Sequence, residues 1–454
     1  MRAFTFGEAA AWAGANPEGV DPHRPVTGVT IDSRTVAPGM LFVALPGRHT
    51  DGHRFLDEVF ARGGVALVRE DAAAQGPCLR VPDPLAALGA MVRAAIDAFG
   101  ITVVGVTGSV GKTSMKELIA QALAARYRVG ETQANFNTAI GLPLSFFAAP
   151  ADITHFVAEM AMRARGEIRR LTEIAPPHLA VITTIGPSHL ELLGSMEAIQ
   201  AAKGEILEGL RPEGTAVLNG DDARVRELGQ RLSPGRVAWY GTAADASARL
   251  LEARATAEGG VFCRVAVEGE TVALTLPWPG LHQAHNAAGA LLAARRLGVP
   301  VEEAADHLSA IDPARSRIQV REVGGIRVIE DAYNASPDSM RAALDWLRGQ
   351  PGRRVAVLGD MLELGAWEEA GHREVGEAAA EAADLLITVG PRARWTAAAA
   401  RARGMAVHEA PDVEAAARLL AEELKPGDTV LFKASRSMAL DRLARKVLGS
   451  EGAS

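Results

Sequence analysis

The sequence predicts an α/β protein of three domains: a small α/β N-terminal domain, a central parallel sheet and a C-terminal Rossmann-like domain. Three observations carry this. The chain has 454 residues, beyond the length at which one hydrophobic core keeps growing. From residue 101 onward, apolar runs such as "ITVVGV", "LAVITTIG" and "VAVLGD" alternate with stretches of helical character, as parallel strands covered on both faces do. Between Arg249 and Leu276 the pattern changes to period two, which marks an antiparallel annex.

The first domain, residues 1–84, carries the strand-like runs "VTGVTIDS", "MLFVALPG" and "VALV", with turns at Pro38-Gly39 and Pro46-Gly47. The segment "VPDPLAALG" reads as a connector that enters a helix. In residues 85–311 the order is strand "ITVVGV", a helix from Thr113, strands "ITHFVAE" and "LAVITTIG", a helix over Met196 to Leu210, and strand "TAVLN". The annex follows, and a helix from Ala284 to Leu297 closes the unit. Residues 312–454 repeat the alternation with "GIRVIED", "RRVAVLGD", "ADLLITVG" and "DTVLFKAS", each leading into a helix. No G-x-G-x-x-G follows these last strands, so no dinucleotide site is expected among them.

Composition narrows the function. Hydrophobic residues at 48% exclude a disordered chain, and a net charge of -7 without a Lys/Arg cluster argues against nucleic acid. The start "MRAFTFGEAAAWAGANPEG" lacks a cationic stretch followed by an apolar run, and no window offers the roughly 20 apolar residues of a membrane span. Cys78 and Cys263 stand far apart and near no histidine cluster, so reduced thiols are expected. These features together predict a cytoplasmic protein without membrane insertion.

The chemistry begins at "VVGVTGSVGKTSMKEL". An apolar strand runs into a glycine-rich turn, Thr107-Gly108-Ser109-Val110-Gly111, and Lys112 and Thr113 open a helix. Glycine permits the torsions that aim successive N–H groups into one concavity, and the helix adds its positive end. Lys112 is placed to reach the β and γ phosphates of ATP, and the Thr113 hydroxyl to bind Mg2+. The strict motif has glycine where this chain has Val106, so the loop is a variant form of the phosphate-binding loop. The central sheet is therefore read as a P-loop-type ATPase domain.

The variant T-G-[ST]-x-G-K-[ST] resembles the Mur ligase family, and other stretches agree. "AEMAMRARGEI" is similar to that family's acidic metal motif, with Glu159, although Ala161 stands where glycine is usual. "IGPSHLELLGSMEAIQAAKGEI" looks like its His-then-Lys segment, with His189 and Lys203. "GLHQAHNAAGALLAA" resembles G-x-H-N-x-x-N-x-x-A, with Gln283 replacing the first asparagine and Asn286 in the second place. "EDAYNASPDSM", "LGDMLELG", "NFNTAIGLPLS" and "LFKASRSMALDRL" are similar to the versions found in the branch that adds a dipeptide, with Ala434 in place of a glycine. The string D-N-P-R, usual in the branch that adds a diamino acid, is missing.

The resemblance implies an ATP-dependent ligase that joins D-alanyl-D-alanine to UDP-N-acetylmuramoyl-tripeptide through an acyl phosphate, in peptidoglycan synthesis. It implies two Mg2+ ions held by Thr113, Glu159, His189 and Lys203, with Lys203 carbamylated so that a cation becomes an anionic ligand. Lys112, Lys203 and Arg317 are the implied catalytic groups, and Arg315 competes with Arg317 by spacing. Asn286, Asp331, Tyr333 and Asn334 are expected at the nucleotide. Ser33 and Arg34 are expected at the uridine diphosphate end, and Asn135, Asn137, Lys433, Ser435 and Arg436 at the peptide substrates. A monomer is expected. By residue type alone the plain readings are a solvated carboxylate at a helix start for Glu159, an ordinary surface lysine for Lys203 and a simple turn for Asp32-Ser33-Arg34. Two other readings stay open: another ligase of this family or a folylpolyglutamate synthase-like enzyme adding one amino acid, and a phosphate-loop switch or motor.

Overall fold

The computed structural model describes residues 2–47, 50–133 and 135–447, which build three sheets. The first contains β1 (Asn16–Glu18), β2 (Gly28–Thr30), β3 (Met40–Val43), β4 (Val65–Arg69) and β5 (Cys78–Val81), in the order β1-β5-β4-β3-β2. Only β1 runs antiparallel to its neighbour. A helix over Phe6–Ala13, beyond the sequence reading, starts at a capping box in which Thr5 and Glu8 satisfy each other's backbone N–H groups. The helix Pro84–Phe99 has Asp83 as its cap and Gly100 at φ 64° as its stop. Its apolar face joins the first sheet to the central one: a single buried cluster runs from Phe4 through Leu88 to Ile206.

The central sheet contains β6 (Thr102–Thr107), β7 (Val129–Glu131), β8 (His155–Glu159), β9 (Leu179–Ile182), β10 (Thr215–Asn219), β11 (Val237–Gly241), β12 (Ala248–Ala255), β13 (Val261–Val267) and β14 (Glu270–Leu276). Its order is β14-β13-β12-β11-β10-β9-β6-β8-β7, parallel from β7 to β12 and antiparallel beyond. The annex therefore continues the parallel sheet instead of standing apart from it. The chain leaves β6 toward β7 on one side and β9 toward β10 on the other, so their carboxyl ends flank a crevice. One face is covered by Lys112–Leu123 against His282–Arg296, whose Ala284, Ala287, Ala288 and Ala290 let the helices approach closely.

The third sheet contains β15 (Gln319–Val323), β16 (Ile326–Glu330), β17 (Arg354–Gly359), β18 (Leu385–Val389), β19 (Val407–Ala410) and β20 (Thr429–Lys433), in the order β15-β16-β20-β17-β18-β19. All neighbours are parallel except the β15–β16 hairpin, which turns at Gly324-Gly325. The segments that follow β16, β17 and β20 line the same cleft as the central sheet's crevice, among them Asp331, Tyr333, Glu363 and Arg436. Cys78 and Cys263 are free, buried thiols. Among the described residues no helix is long and apolar enough to cross a membrane.

Candidate active site

The glycine-rich turn lies between the ends of β6 and β9, pinned by backbone contacts. The Ser109 N–H donates to the Thr184 carbonyl at 2.8 Å, and the Thr183 hydroxyl donates to the Val110 carbonyl at 2.6 Å. A Cβ added at Gly108 would stand 1.9 Å from that same Thr183 hydroxyl, so no larger residue fits. Gly111 takes φ 81° to turn the chain into the helix that begins at Lys112. The Lys112 ammonium donates to the Gly108 and Ser109 carbonyls at 2.8 and 3.1 Å.

Two buried polar centres flank this turn. The Thr113 hydroxyl donates to the carboxylate of Glu159, which is 2% exposed at the end of β8. The Asn137 amide donates to its other oxygen at 2.8 Å, and the Arg317 guanidinium donates to the Thr113 oxygen. Lys203, also 2% exposed, donates to the Gly108 carbonyl at 2.8 Å. Burial, aided by the nearby charge of Lys112, pushes its ammonium well below the usual lysine range. Burial also lowers Lys112, against the pull of Glu159.

His189 sits just past Ser188, with Nδ1 at 2.5 Å from the Glu363 carboxylate of the β17 loop. Burial lowers its pKa, and Glu363 opposes that shift. Among the described residues no group of three or more His, Cys, Asp or Glu side chains forms a metal cluster.

The structure separates the two competing arginines. Arg317 reaches Thr113 and stacks over Tyr333 at 4.0 Å, whereas Arg315 pairs with Glu131 and lies 3.5 Å from Glu117. Arg436 covers the same Tyr333 ring at 4.9 Å. Asn286 lies beside the turn, where a Gly111 Cβ would be 3.4 Å from its Oδ1, and donates to Gln283 at 3.1 Å. Asn135, Asn137, Asp331, Tyr333, Asn334, Ser435 and Arg436 all line the same cleft.

Lys433 lines the same cleft. Its 2%-exposed ammonium donates to the Asp331 carboxylate at 2.7 Å and to the Asn334 carbonyl at 3.1 Å. It therefore shapes the 331–334 loop. Ser435 accepts the Leu362 N–H at 2.9 Å and ties the β17 and β20 loops together.

Ser33 and Arg34 stand outside this cleft, on the first sheet's rim. Ser33 donates to Glu58 at 3.1 Å, while the exposed Arg34 makes two bonds to Asp32 at 2.8 and 2.7 Å. That guanidinium lowers the Asp32 carboxyl to about 2.

Three cleft residues carried no role in the sequence reading. Glu363 faces His189, Asp338 approaches Gly186 so closely that a Cβ there would be 2.5 Å from its Oδ2, and Asp221 pairs with His285 at 3.0 Å. "LGDMLELG" and "EDAYNASPDSM" already marked the stretches that hold the first two. The arrangement gathers Lys112, Lys203 and Arg317 around a glycine turn, with a carboxylate and a hydroxyl inside it. Such a set suits a polyphosphate and the charge that builds up when a phosphoryl group moves.

Three family models match this chain: the Mur ligase family catalytic domain over residues 25–134, the Mur ligase middle domain over 106–294, and the Mur ligase glutamate ligase domain over 316–436. The chain is similar to UDP-N-acetylmuramoyl-tripeptide–D-alanyl-D-alanine ligase of Bacillus subtilis (strain 168), 36% identical over 440 residues and 94% of each chain. Its fold is similar to MurF from Acinetobacter baumannii, with TM-score 0.89, 26% identity and 99% of each chain covered. It is also similar to MurF ligase from Thermotoga maritima in complex with ADP, with TM-score 0.81, 30% identity, and 94% of this chain and 99% of that chain covered.

Proposed function

This chain belongs to the Mur ligase family, and from that premise we propose its reaction and the residues that carry it. It is an ATP-dependent ligase that joins D-alanyl-D-alanine to UDP-N-acetylmuramoyl-tripeptide, completing the pentapeptide precursor of peptidoglycan. The observation that carries the reading is the meeting of Thr113, Glu159 and Arg317 at a glycine turn that also holds Lys112 and Lys203. Ligases that add a single amino acid are not favoured, because the relatives matched across nearly the whole chain carry the dipeptide ligase's name.

The chemistry follows from need. A carboxylate and an amine do not condense in water, since hydroxide leaves poorly. Transfer of the γ-phosphoryl group of ATP to the tripeptide carboxylate gives an acyl phosphate and ADP. The free amine of the dipeptide attacks the acyl carbon, the C–N bond forms, and phosphate departs with the C–O electrons while the amine loses a proton. Lys112 and Arg317 hold the phosphoryl oxygens as their charge shifts. Asn286, Asp331, Tyr333 and Asn334 line the adenosine side, and Asn135, Asn137, Ser435 and Arg436 the peptide side. Ser33 and Arg34 take the uridine diphosphate end at the first sheet's rim.

The buried Thr113 hydroxyl and Glu159 carboxylate fit Mg2+, a hard cation that takes few protein oxygens and completes its shell with phosphate and water. When bound, Mg2+ neutralises phosphate charge. His189 lies on the same cleft wall as a further ligand. Lys203 as an amine fits no cation site. Its burial favours the unprotonated amine, which adds to carbon dioxide with loss of a proton and becomes a carbamate. The ATP and nucleotide-linked precursor that it consumes place the enzyme in the cytoplasm. It acts as a monomer, and loss of the product would impair cell shape and division. Domain boundaries are placed at 84/85 and 311/312.

The test is phosphate release with ATP, UDP-muramoyl-tripeptide and D-alanyl-D-alanine, omitting each in turn. Release is expected only with all three. Full release without the dipeptide, or equal use of single amino acids, overturns the reading.

A further inference from the structure

His189 and Glu363 are 174 residues apart, one on the central sheet's β9 loop and the other on the third sheet's β17 loop. Both hold left-handed backbones, φ 62° and 64°, and they are two of only four non-glycine residues with positive φ among those described. Such conformations persist where surrounding structure over-determines them. Here it does. The Glu363 carbonyl accepts the Glu191 N–H at 3.1 Å, and Gly365 lies so near that a Cβ would stand 2.9 Å from the Glu191 Cα. On the other side, Ser109 of the phosphate loop exchanges two 2.8 Å bonds with Gly186, and Ser188 donates to the Ser109 carbonyl at 3.4 Å. A continuous path thus links the phosphate loop, the 186–189 loop and the third sheet.

A surface ion pair would not need this. Exposed pairs form between flexible side chains on relaxed backbones, whereas here the two side chains are 22% and 35% exposed and both backbones are held off their usual torsions.

We propose that Glu363 is a positioning residue for His189, fixing its ring as the Nδ1–H tautomer so that Nε2 keeps a free lone pair. A carboxylate on one ring nitrogen sets what the other can do, by orienting the ring and raising its basicity. Because Glu363 comes from the third sheet, His189 becomes competent only when that sheet lies against the central one. Domain docking and assembly of the phosphoryl-transfer site are then one event. This rests on the ligase reading above.

The test uses the full chain with 15N-labelled histidine and the variants Glu363→Asn, Glu363→Gln and His189→Asn. Asparagine tolerates the left-handed backbone but is too short to reach the ring, and glutamine restores an acceptor without the charge. His189→Asn assigns the His189 resonances. In the wild type the ring 15N shifts should show a protonated Nδ1 and an unprotonated Nε2 at neutral pH. Glu363→Asn should move His189 toward the opposite tautomer and lower kcat about 10- to 100-fold, with KM for the UDP-linked substrate unchanged, and Glu363→Gln should recover part of both. An unchanged His189 spectrum and kcat in both Glu363 variants overturns the proposal. So does a wild-type ring that carries its proton on Nε2. Should Glu363→Asn not fold, Glu363→Gln decides, since its neutral acceptor must still lower kcat and shift the ring signals. A wild type with no ligase activity would defeat the ligase reading, while the ring spectrum still decides the His189–Glu363 relationship.

Discussion

The Arg317 guanidinium, carried on the connector into the third sheet, donates to the hydroxyl of Thr113 on the phosphate-loop helix, 204 residues earlier in the chain. Its plane is held by the Tyr333 ring at 4.0 Å. Removing it in Arg317→Ala should lower kcat/KM for ATP by about 10²-fold, the usual effect of losing one fixed donor to a developing charge. Arg317→Lys should recover little, because an ammonium cannot both stack on the ring and present a planar fork. Steady-state kinetics with varied ATP checks this, and a lysine variant at near wild-type rate would refute it.

Arg315 should behave otherwise. It shares Glu117 and Glu131 with the buried Lys116 ammonium, which lies 3.7 and 3.1 Å from them, and burial already raises the Glu117 carboxyl. Arg315→Ala leaves those carboxylates less compensated, at a stability cost of about 1–3 kcal/mol. Thermal melting should show the loss while kcat stays within a few-fold of wild type.

Gly108→Ala should abolish nucleotide binding. The added methyl meets the Thr183 hydroxyl at 1.9 Å, and that hydroxyl also holds Val110. The loop must open, so calorimetric titration should detect no ADP binding at concentrations that saturate the wild type. A variant that binds ADP normally would show that the turn is less constrained than its packing indicates.

Acid should weaken the fold through His155. Burial drives its imidazole down to about 4 from an ordinary value near 6.5. Below 6.5 the unfolded chain takes up a proton that the folded chain refuses, so stability is intact above that pH and is lost as pH falls toward 4. The loss amounts to roughly 3 kcal/mol at most. His155→Phe keeps a ring against Tyr127, whose centroid lies 3.9 Å away, and should make the acid-side slope of urea unfolding shallower. Some slope remains, since burial lowers His178 as well.

What the sequence shows of this molecule follows from how locally each feature is encoded. β8 and the helix Met196–Glu208 are long, periodic and bounded, and both are legible without a structure. The helix Phe6–Ala13 is visible only through Thr5 and Glu8, a capping pair easily missed beside a glycine at position 7. β19 hides because "VHEA" has no apolar run, and without that strand the helices Arg394–Ala402 and Val413–Glu423 read as a single one. The phosphate loop is local and therefore readable. The partners Arg317–Thr113 and His189–Glu363 are not, because each joins segments far apart in the chain and neither residue's neighbours in sequence announce the other. Lys433 shows the converse: its motif is plain, but its three acceptors on Asp331 and Asn334 exist only in the folded loop.

Carbamylation of Lys203 should make activity depend on dissolved carbon dioxide. Stripping it from the buffer should reduce turnover reversibly, with recovery on adding bicarbonate, and Lys203→Ala should be inactive at any bicarbonate level. Full activity in carbon dioxide-free buffer would remove the carbamate from the mechanism.

The activated acid itself is tested by oxygen transfer. UDP-muramoyl-tripeptide labelled with 18O in its terminal carboxyl group is turned over with ATP and D-alanyl-D-alanine, and the released phosphate is weighed by mass spectrometry. One 18O atom should appear in each phosphate formed. Phosphate free of label would mean that the carboxylate oxygen never bonded to phosphorus, which contradicts ligation through an acyl phosphate.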